Sequence, residues 1–304
     1  MMRHPKQFNT QGIRLDRNEC ICPSFVKELL TIANIREDDY FSYSSSLDVE
    51  TKLESKLNCH YNKSYIYVDN GSEQVLRALI SVLNSKTWVI ATPAFEMFSV
   101  YCSIYKKNIK YIPFTYSRET FLIDLFSNNF KESSLYIASP HNPTGYTLTT
   151  AEIVELSKKY HYIIIDQAYL SPLDSLSLDI PKNIIIVRTF SKMGGLTGMR
   201  FGFCVTRDLN ILDRLNLLRP MYLNSLTIKL VETILNNTYL LLKIPDEFKK
   251  VKNILNLKII SEAGNFILVD GVSEYKGYKF KKYSFNNKDF FRMSLFDMET
   301  YYKL

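Results

Sequence analysis

The chain has 304 residues, 46% hydrophobic and 23% charged, which is the balance of a globular protein and excludes a disordered or low-complexity one. No apolar run approaches the roughly 18 residues a membrane span requires, so no membrane span and no membrane partner are expected. The 38 Lys and Arg exceed the 31 Asp and Glu to give a net charge of +7, without the dense basic stretch of a nucleic-acid binder. An extended arm and a short helix over 24–33 come first. Then short β-rich apolar runs recur at 65–68, 87–91, 135–138, 162–165, 184–187 and 201–205. Several are apolar throughout, which suits strands covered on both faces. Helix-period segments lie between them. The stretch 73–83 places Val75, Leu76, Leu79, Ile80 and Leu83 on one face, and 150–160 follows an N-cap at Thr149 or Thr150. A long helical stretch over 225–242 precedes strands at 265–269 and 290–295. This alternation predicts an α/β fold with a mostly parallel central sheet flanked by helices. We divide the chain into an N-terminal arm (1–40), a large domain (41–220) and a small C-terminal α/β domain (221–304), with the boundary near Pro220.

Cys20, Cys22, Cys59, Cys102 and Cys204 form no CxxC pair, so neither a disulfide framework nor a zinc site is expected, and reduced thiols in the cytoplasm fit best. His4, His60 and His161 read as terminal, packed or surface residues, and no metal site is expected. Lys279, Lys281 and Lys282 alternate with aromatics as a solvated edge strand or loop would; an anion patch is the alternative.

The polar signals cluster at the C-terminal ends of the predicted strands, where ligands bind in open α/β sheets. Gly71 and Ser72 open a helix after 65–68, a cap geometry that also favours an anion. Two prolines and a glycine around Asn142 in Ser139–Gly145 fix a turn that holds one orientation. Asp166 ends a strand, either as a helix cap or as a counter-ion to a bound cation, since a buried carboxylate needs a partner. The stretch TFSKMGGLTGMRFG (189–202) holds four of the ten glycines, with Lys192 and Arg200 inside it. Lysine in a partly apolar pocket can lose its proton and form a Schiff base, and Arg200 with Ser191 suits a phosphate. Each pattern taken singly also fits an ordinary turn.

Taken in order, they resemble the class I and II pyridoxal 5′-phosphate (PLP) aminotransferases of fold type I, and within them histidinol-phosphate aminotransferase and its relatives. The resembling segments are LDRNE (15–19), YVDNGSEQVLRALI (67–80), TPAFEMFSVY (92–101), SPHNPTG (139–145), IIIDQAY (163–169), TFSKMGGLTGMRFGF (189–203), AGNFILV (263–269) and FRMSL (291–295). The resemblance implies roles. Lys192 would join the cofactor aldehyde and shuttle a proton. Asp166 would pair with the pyridine nitrogen. Asn142 and Tyr169 would bond the phenolic oxygen, and Phe95 would stack on the ring. Gly71, Ser72, Glu73, Ser191 and Arg200 would hold the phosphate, joined by Tyr43 from the partner subunit of a homodimer. Arg292 would bind the substrate's acidic group beneath Asn18 and Glu19 of the N-terminal arm. The glycines would clear space for the ring and its phosphate.

The chain departs from the family at Gln167, where Glu is usual, and at His141. It is also shorter than the family between 226 and 263 and between 270 and 291, and ends soon after Arg292, so the small domain is expected to be trimmed. The implied activity is amino transfer from an amino acid such as glutamate to a keto-acid or phosphorylated ketone, with a place in amino-acid biosynthesis. Decarboxylation of a phosphorylated hydroxy-amino acid, and a PLP-binding relic without turnover, are the alternatives.

Overall fold

A computed structural model describes residues 14–43, 47–57, 64–127, 130–176, 181–219 and 223–304; the expectations at His4, Cys59, His60 and Pro220 lie outside the described residues. Helix α1 (Pro23–Ala33) has proline in its first turn, where no helical N–H is lost, and stops at Asn34 with φ +46°. Helices α2 (Asp38–Phe41) and α3 (Leu47–Lys56) follow. The sheet then begins, with β1 (Tyr65–Asp69), α4 (Ser72–Val82), β2 (Thr87–Thr92), α5 (Glu96–Ile104), β3 (Asn108–Pro113) and a small hairpin of β4 (Thr115–Ser117) and β5 (Thr120–Leu122). Next come β6 (Ser133–Ala138), α6 (Thr150–Lys159), β7 (Ile163–Asp166), β8 (Ile184–Thr189), β9 (Gly202–Thr206) and α7 (Leu209–Asn216). Thr149 caps α6: its hydroxyl accepts from the Glu152 N–H while the Glu152 carboxylate accepts from the Thr149 N–H.

The large sheet has the order β1-β9-β8-β7-β6-β2-β3. All neighbours are parallel except those of β9, which runs antiparallel to both β1 and β8. The central strands are sided as their unbroken apolar runs predict. In β7, Ile163 and Ile165 join one core and Ile164 the other; in β8, Ile184 and Ile186 face one way and Ile185 and Val187 the other. Each such fully buried side chain is worth about 1.5–3 kcal/mol, so helices on both faces are held firmly. One face is covered by α4, α5 and α7 through Val75, Leu79, Phe98 and Leu215.

The stretch predicted as one helix over 225–242 is two elements. Helix α8 (Ser225–Asn236) ends where Asn237 leaves helical backbone, a 3-10 turn (Thr238–Leu242) follows, and α9 (Lys243–Ile254) continues. A smaller antiparallel sheet has the order β10-β11-β15-β14, from β10 (Ile259–Ala263), β11 (Phe266–Asp270), β14 (Lys281–Phe285) and β15 (Lys288–Ser294). A two-stranded ribbon, β12 (Glu274–Tyr275) with β13 (Tyr278–Lys279), precedes β14, and α10 (Met298–Tyr301) ends the described chain. The Lys279–Lys282 cluster therefore includes a sheet edge, one of its two sequence readings. The N-terminal segment bridges the two sheets: Leu15 O accepts from Ser294 N at 2.8 Å, and Asn18 N donates to Ser294 Oγ at 2.8 Å. No helix among the described residues is long and apolar enough to cross a membrane.

Candidate active site

A cavity of about 780 Å³ opens over the C-terminal ends of β2, β6, β7 and β8 and reaches residues of the N-terminal segment and the small sheet. Lys192 stands in its wall just after β8. Its Nζ donates to Asn18 O at 2.5 Å. Burial pulls this amine down to about 8, and the positive charges of Arg292 and Arg200 act in the same direction. An amine so placed is partly neutral near physiological pH.

Asp166 ends β7 and is buried. Its Oδ2 accepts from the Tyr136 hydroxyl at 2.9 Å and its Oδ1 from Ala168 N at 3.0 Å. It thus acts as the cap of its own turn and also faces the cavity. Burial raises its pKa against these two bonds, so a cation in the cavity would lower it again. Tyr136 is itself clamped by a stacked Phe98 at 3.9 Å.

Asn142 donates through Nδ2 to the Tyr169 hydroxyl at 2.5 Å, which joins the turn after β6 to the turn after β7. Asn142 Oδ1 is buried without a partner among the described residues. Tyr169 meets Phe266 of β11 edge to face at 5.1 Å, and Gly264 lies so close to its backbone that a Cβ there would come within 2.5 Å of Tyr169 O.

The anion cup is built on the N-terminus of α4. Gly71 precedes it with φ +83°, and Ser72 and Glu73 line the cavity. Arg200, at φ +55°, donates from Nη1 to Ser191 Oγ at 3.3 Å, and its Nη2 lies 3.9 Å from Glu73 Oε2. Glu73 is held in turn by the Tyr101 hydroxyl at 2.7 Å. Ser191 N donates to Thr189 Oγ1 at 3.0 Å, fixing the strand end.

Arg292 on β15 is 5% exposed, donates from Nη2 to Asp16 O, and keeps Nε without a partner among the described residues. Asn18, at φ +62° and 2% exposed, uses its carbonyl for Lys192 and for Asn265 Nδ2 at 3.1 Å, while its side-chain oxygen has no partner among the described residues. Phe95 lines the cavity and is exposed. Three expected residues, Gly71, Glu19 and Tyr43, do not line it. Glu19 lies beside Arg17, 3.9 Å away, and Tyr43 is exposed next to α2.

The glycines around Lys192 serve packing more than the cavity, contrary to the expectation. A Cβ on Gly194 would meet Phe190 Cα at 2.5 Å, and one on Gly195 would meet the Phe25 ring at 2.3 Å, while Gly198 faces open space. Gly202 alone contributes to the cup, by backbone contact. A Cβ there would lie 2.1 Å from Ser72 N and 2.4 Å from Gly71 C. Gln167, the other departure, turns to the sheet and accepts from the buried Arg188 at 2.9 Å. His141 reaches the cavity wall but is fully buried. Its Nε2 lies 2.7 Å from Pro93 O, so it carries the proton, and Nδ1 accepts from Thr144 at 2.8 Å. His161 is at the surface, as expected. Among the described residues no group of side chains could hold a metal ion.

The family model described as aminotransferase class I and II matches residues 8–302. The chain belongs to the class I and II aminotransferases. A histidinol-phosphate aminotransferase of Pyrococcus furiosus is 32% identical over 227 residues, covering 71% of this chain and 65% of that protein. The chain thus spans slightly less than two thirds of that relative's length. The fold of this aminotransferase-family chain matches solved structures of fold type I. Histidinol-phosphate aminotransferase from Sinorhizobium meliloti, solved in complex with pyridoxal 5′-phosphate, superposes with TM-score 0.74 at 18% identity, covering 94% of this chain and 87% of that one. L-threonine-O-3-phosphate decarboxylase from Porphyromonas gingivalis superposes with TM-score 0.70 at 17% identity, covering 95% and 96%.

The cofactor of the class I and II aminotransferases is pyridoxal 5′-phosphate, as expected from the sequence, and the cavity fits it. A desolvated lysine amine, a buried carboxylate across from it, an orphaned amide oxygen on Asn142 and a helix N-terminus opened by Gly71 and Gly202 lie around one space. Tyr136 and Thr189 carry no motif of their own in the sequence. Tyr136 lies inside an apolar run, two residues before Ala138, which is in register with Asp166. That same-face spacing was the available signal.

Proposed function

We propose that this chain is a PLP-dependent aminotransferase. It moves an amino group from an amino acid, glutamate in our reading, to a keto-acid or phosphorylated ketone of the histidinol-phosphate type. The observation that carries the reading is the Lys192 amine, held at about 8 in the same cavity as the buried Asp166 carboxylate. When bound, pyridoxal 5′-phosphate supplies an aldehyde that condenses with amines and a ring that withdraws electrons from the substrate Cα.

The chain's own residues do the rest. Lys192 would hold the cofactor's aldehyde carbon and would carry the proton taken from the substrate Cα. Asp166, oriented by Tyr136 and Ala168 N, would keep the pyridine nitrogen protonated, and Asn142 and Tyr169 would hold the phenolic oxygen. The α4 N-terminus at Gly71, Ser72 and Glu73 holds the phosphate with Ser191 and Arg200, because free amides and a guanidinium both favour an anion. Phe95 covers the ring face. Arg292 takes the substrate's acidic group by its guanidinium fork, with Asn18 and Glu19 in the segment above it. In this reading the active form is a cytoplasmic homodimer with Tyr43 reaching the partner's site, and the arm, large and small domains meet near residues 40 and 220.

The test is a half-reaction. The purified protein is loaded with PLP, borohydride is added to one portion, and peptide mapping seeks a pyridoxyl group on Lys192. A second portion receives histidinol phosphate or glutamate. Loss of the visible absorbance with release of the keto product supports amino transfer. Carbon dioxide from threonine phosphate would replace it with decarboxylation, and an unchanged spectrum with every amine would leave a binding protein without turnover.

A further inference from the structure

The turns after β2 and β6 leave neighbouring parallel strands at the same end of the large sheet. Each carries a residue assigned above to the cofactor ring: Phe95, just before α5, and Asn142. One side chain joins the two turns. The imidazole of His141, next to Asn142, is fully buried; its Nε2 donates to Pro93 O at 2.7 Å and its Nδ1 accepts from Thr144 Oγ1 at 2.8 Å. Phe114, directly after β3, lies against it with ring centroids 4.1 Å apart, and Phe114 N donates to Thr92 O at 2.8 Å. The imidazole is thus enclosed by the ends of three adjacent strands, β6, β2 and β3.

Burial pulls His141 down to about 4, so near physiological pH the ring is neutral and offers one donor and one acceptor. Pro93 O and Thr144 engage both, which leaves no ring nitrogen for a substrate. Its reach across two strand ends has a different effect. Phe95 is exposed, so its backbone rather than core packing sets where its ring lies. That backbone is fixed on one side by Phe98 N, which donates to Phe95 O at 3.0 Å, and on the other by His141 through Pro93. We propose that His141 is a positioning residue: its Nε2–H bond to Pro93 O sets the separation of the two turns, and so holds Phe95 over the cofactor ring and Asn142 beside it. The anion cup stands on other elements, the start of α4 and the loop after β8, and does not depend on this bond. The proposal deepens the reading given above and rests on it for the roles of Phe95 and Asn142.

The experiment compares His141→Gln and His141→Asn with the wild type. Glutamine can place an amide N–H where Nε2–H stands. Asparagine, one carbon shorter, can still pair with Thr144 and does not reach Pro93 O. PLP affinity is measured by visible absorbance, the hold on the ring by the visible circular dichroism of bound PLP, and the cup by the inhibition constant of inorganic phosphate as a competitor. We expect His141→Asn to bind PLP at least about fivefold more weakly, the factor that one neutral hydrogen bond supplies, with a diminished dichroic band and a phosphate constant within about twofold of the wild type. His141→Gln should stay within about twofold on affinity and phosphate and keep the band. Unchanged PLP affinity and dichroism in His141→Asn would overturn the proposal. Equal weakening of PLP and phosphate, or failure of either variant to fold, would assign the imidazole to stability alone and overturn it too, as would a loss in His141→Gln as large as in His141→Asn. The expected pattern in a protein that transfers no amino group would keep the proposal and overturn the aminotransferase reading. A wild-type protein that takes up no PLP would overturn both before any variant is compared.

Discussion

Lys192 Nζ donates to the backbone oxygen of Asn18, so the segment bridging the two sheets is tied to the amine beneath it. The amine's charge itself costs the protein something, because burial and Arg292 both disfavour it. A lysine whose folded pKa is depressed to about 8 from 10.5 destabilises the fold fully below about 8, and the penalty fades as pH rises toward 10.5. Lys192→Met should therefore stabilise the cofactor-free protein at neutral pH by about 2 kcal/mol. Denaturant unfolding of both proteins as pH is raised checks it: the advantage should shrink through that window. A constant gap would show that the amine keeps its charge.

Tyr136→Phe removes one of the two hydrogen bonds that hold Asp166. Bonds to a carboxylate are worth about 1.5–3 kcal/mol, so PLP affinity should fall by roughly tenfold or more. Equilibrium titration with PLP reads this directly. The variant should stay folded, since the ring keeps its stack on Phe98.

Gly202→Ala should disrupt the anion cup, because its Cβ would collide with the backbone of Ser72 and Gly71 rather than with a flexible side chain. We expect a stability loss above about 2 kcal/mol and weak PLP binding. Gly198→Ala, with nothing within 4 Å, is the control and should match the wild type in both thermal melting and PLP titration.

Burial pulls His141 from 6.5 down to about 4. The folded protein then binds fewer protons than the unfolded chain between these values, so its contribution is present above 6.5 and lost as pH falls toward about 4. Stability should decline there with a slope of about 1.4 kcal/mol per pH unit from this group. His141→Gln, which can still donate to Pro93 O, should flatten the slope by one proton's worth; an unchanged slope would place the titration elsewhere.

The sequence exposed most of the central sheet because β1, β2, β6, β7, β8 and β9 are short apolar runs that need cover on both faces. It hid β3, whose residues are mostly exposed, and β10, whose Ser261 and Glu262 carry no strand period. Direction was hidden too: nothing in the Phe203–Val205 run tells that β9 opposes its neighbours. At the site, Lys192, Asp166, Asn142, Ser72, Arg200 and Arg292 were legible because motif order assigns them without geometry, and the structure places all six at one cavity. The supporting contacts were not legible. That Tyr136 reaches Asp166 depends on which side chains meet across strands, and 30 residues of chain separate the two.

The position of β1 at the edge of the large sheet, paired among the described residues with β9 alone, has a consequence for synthesis. A ribosome adding about 5–20 residues per second completes β1 and then works for on the order of ten seconds before its one hydrogen-bonding neighbour exists. Through that interval an apolar strand waits with both its edges open, and the α4 N-terminus waits for Gly202 to close against it. The nascent chain should therefore depend on chaperones most while residues 70–206 emerge, and it cannot take up its vitamin until that stretch has left the exit tunnel.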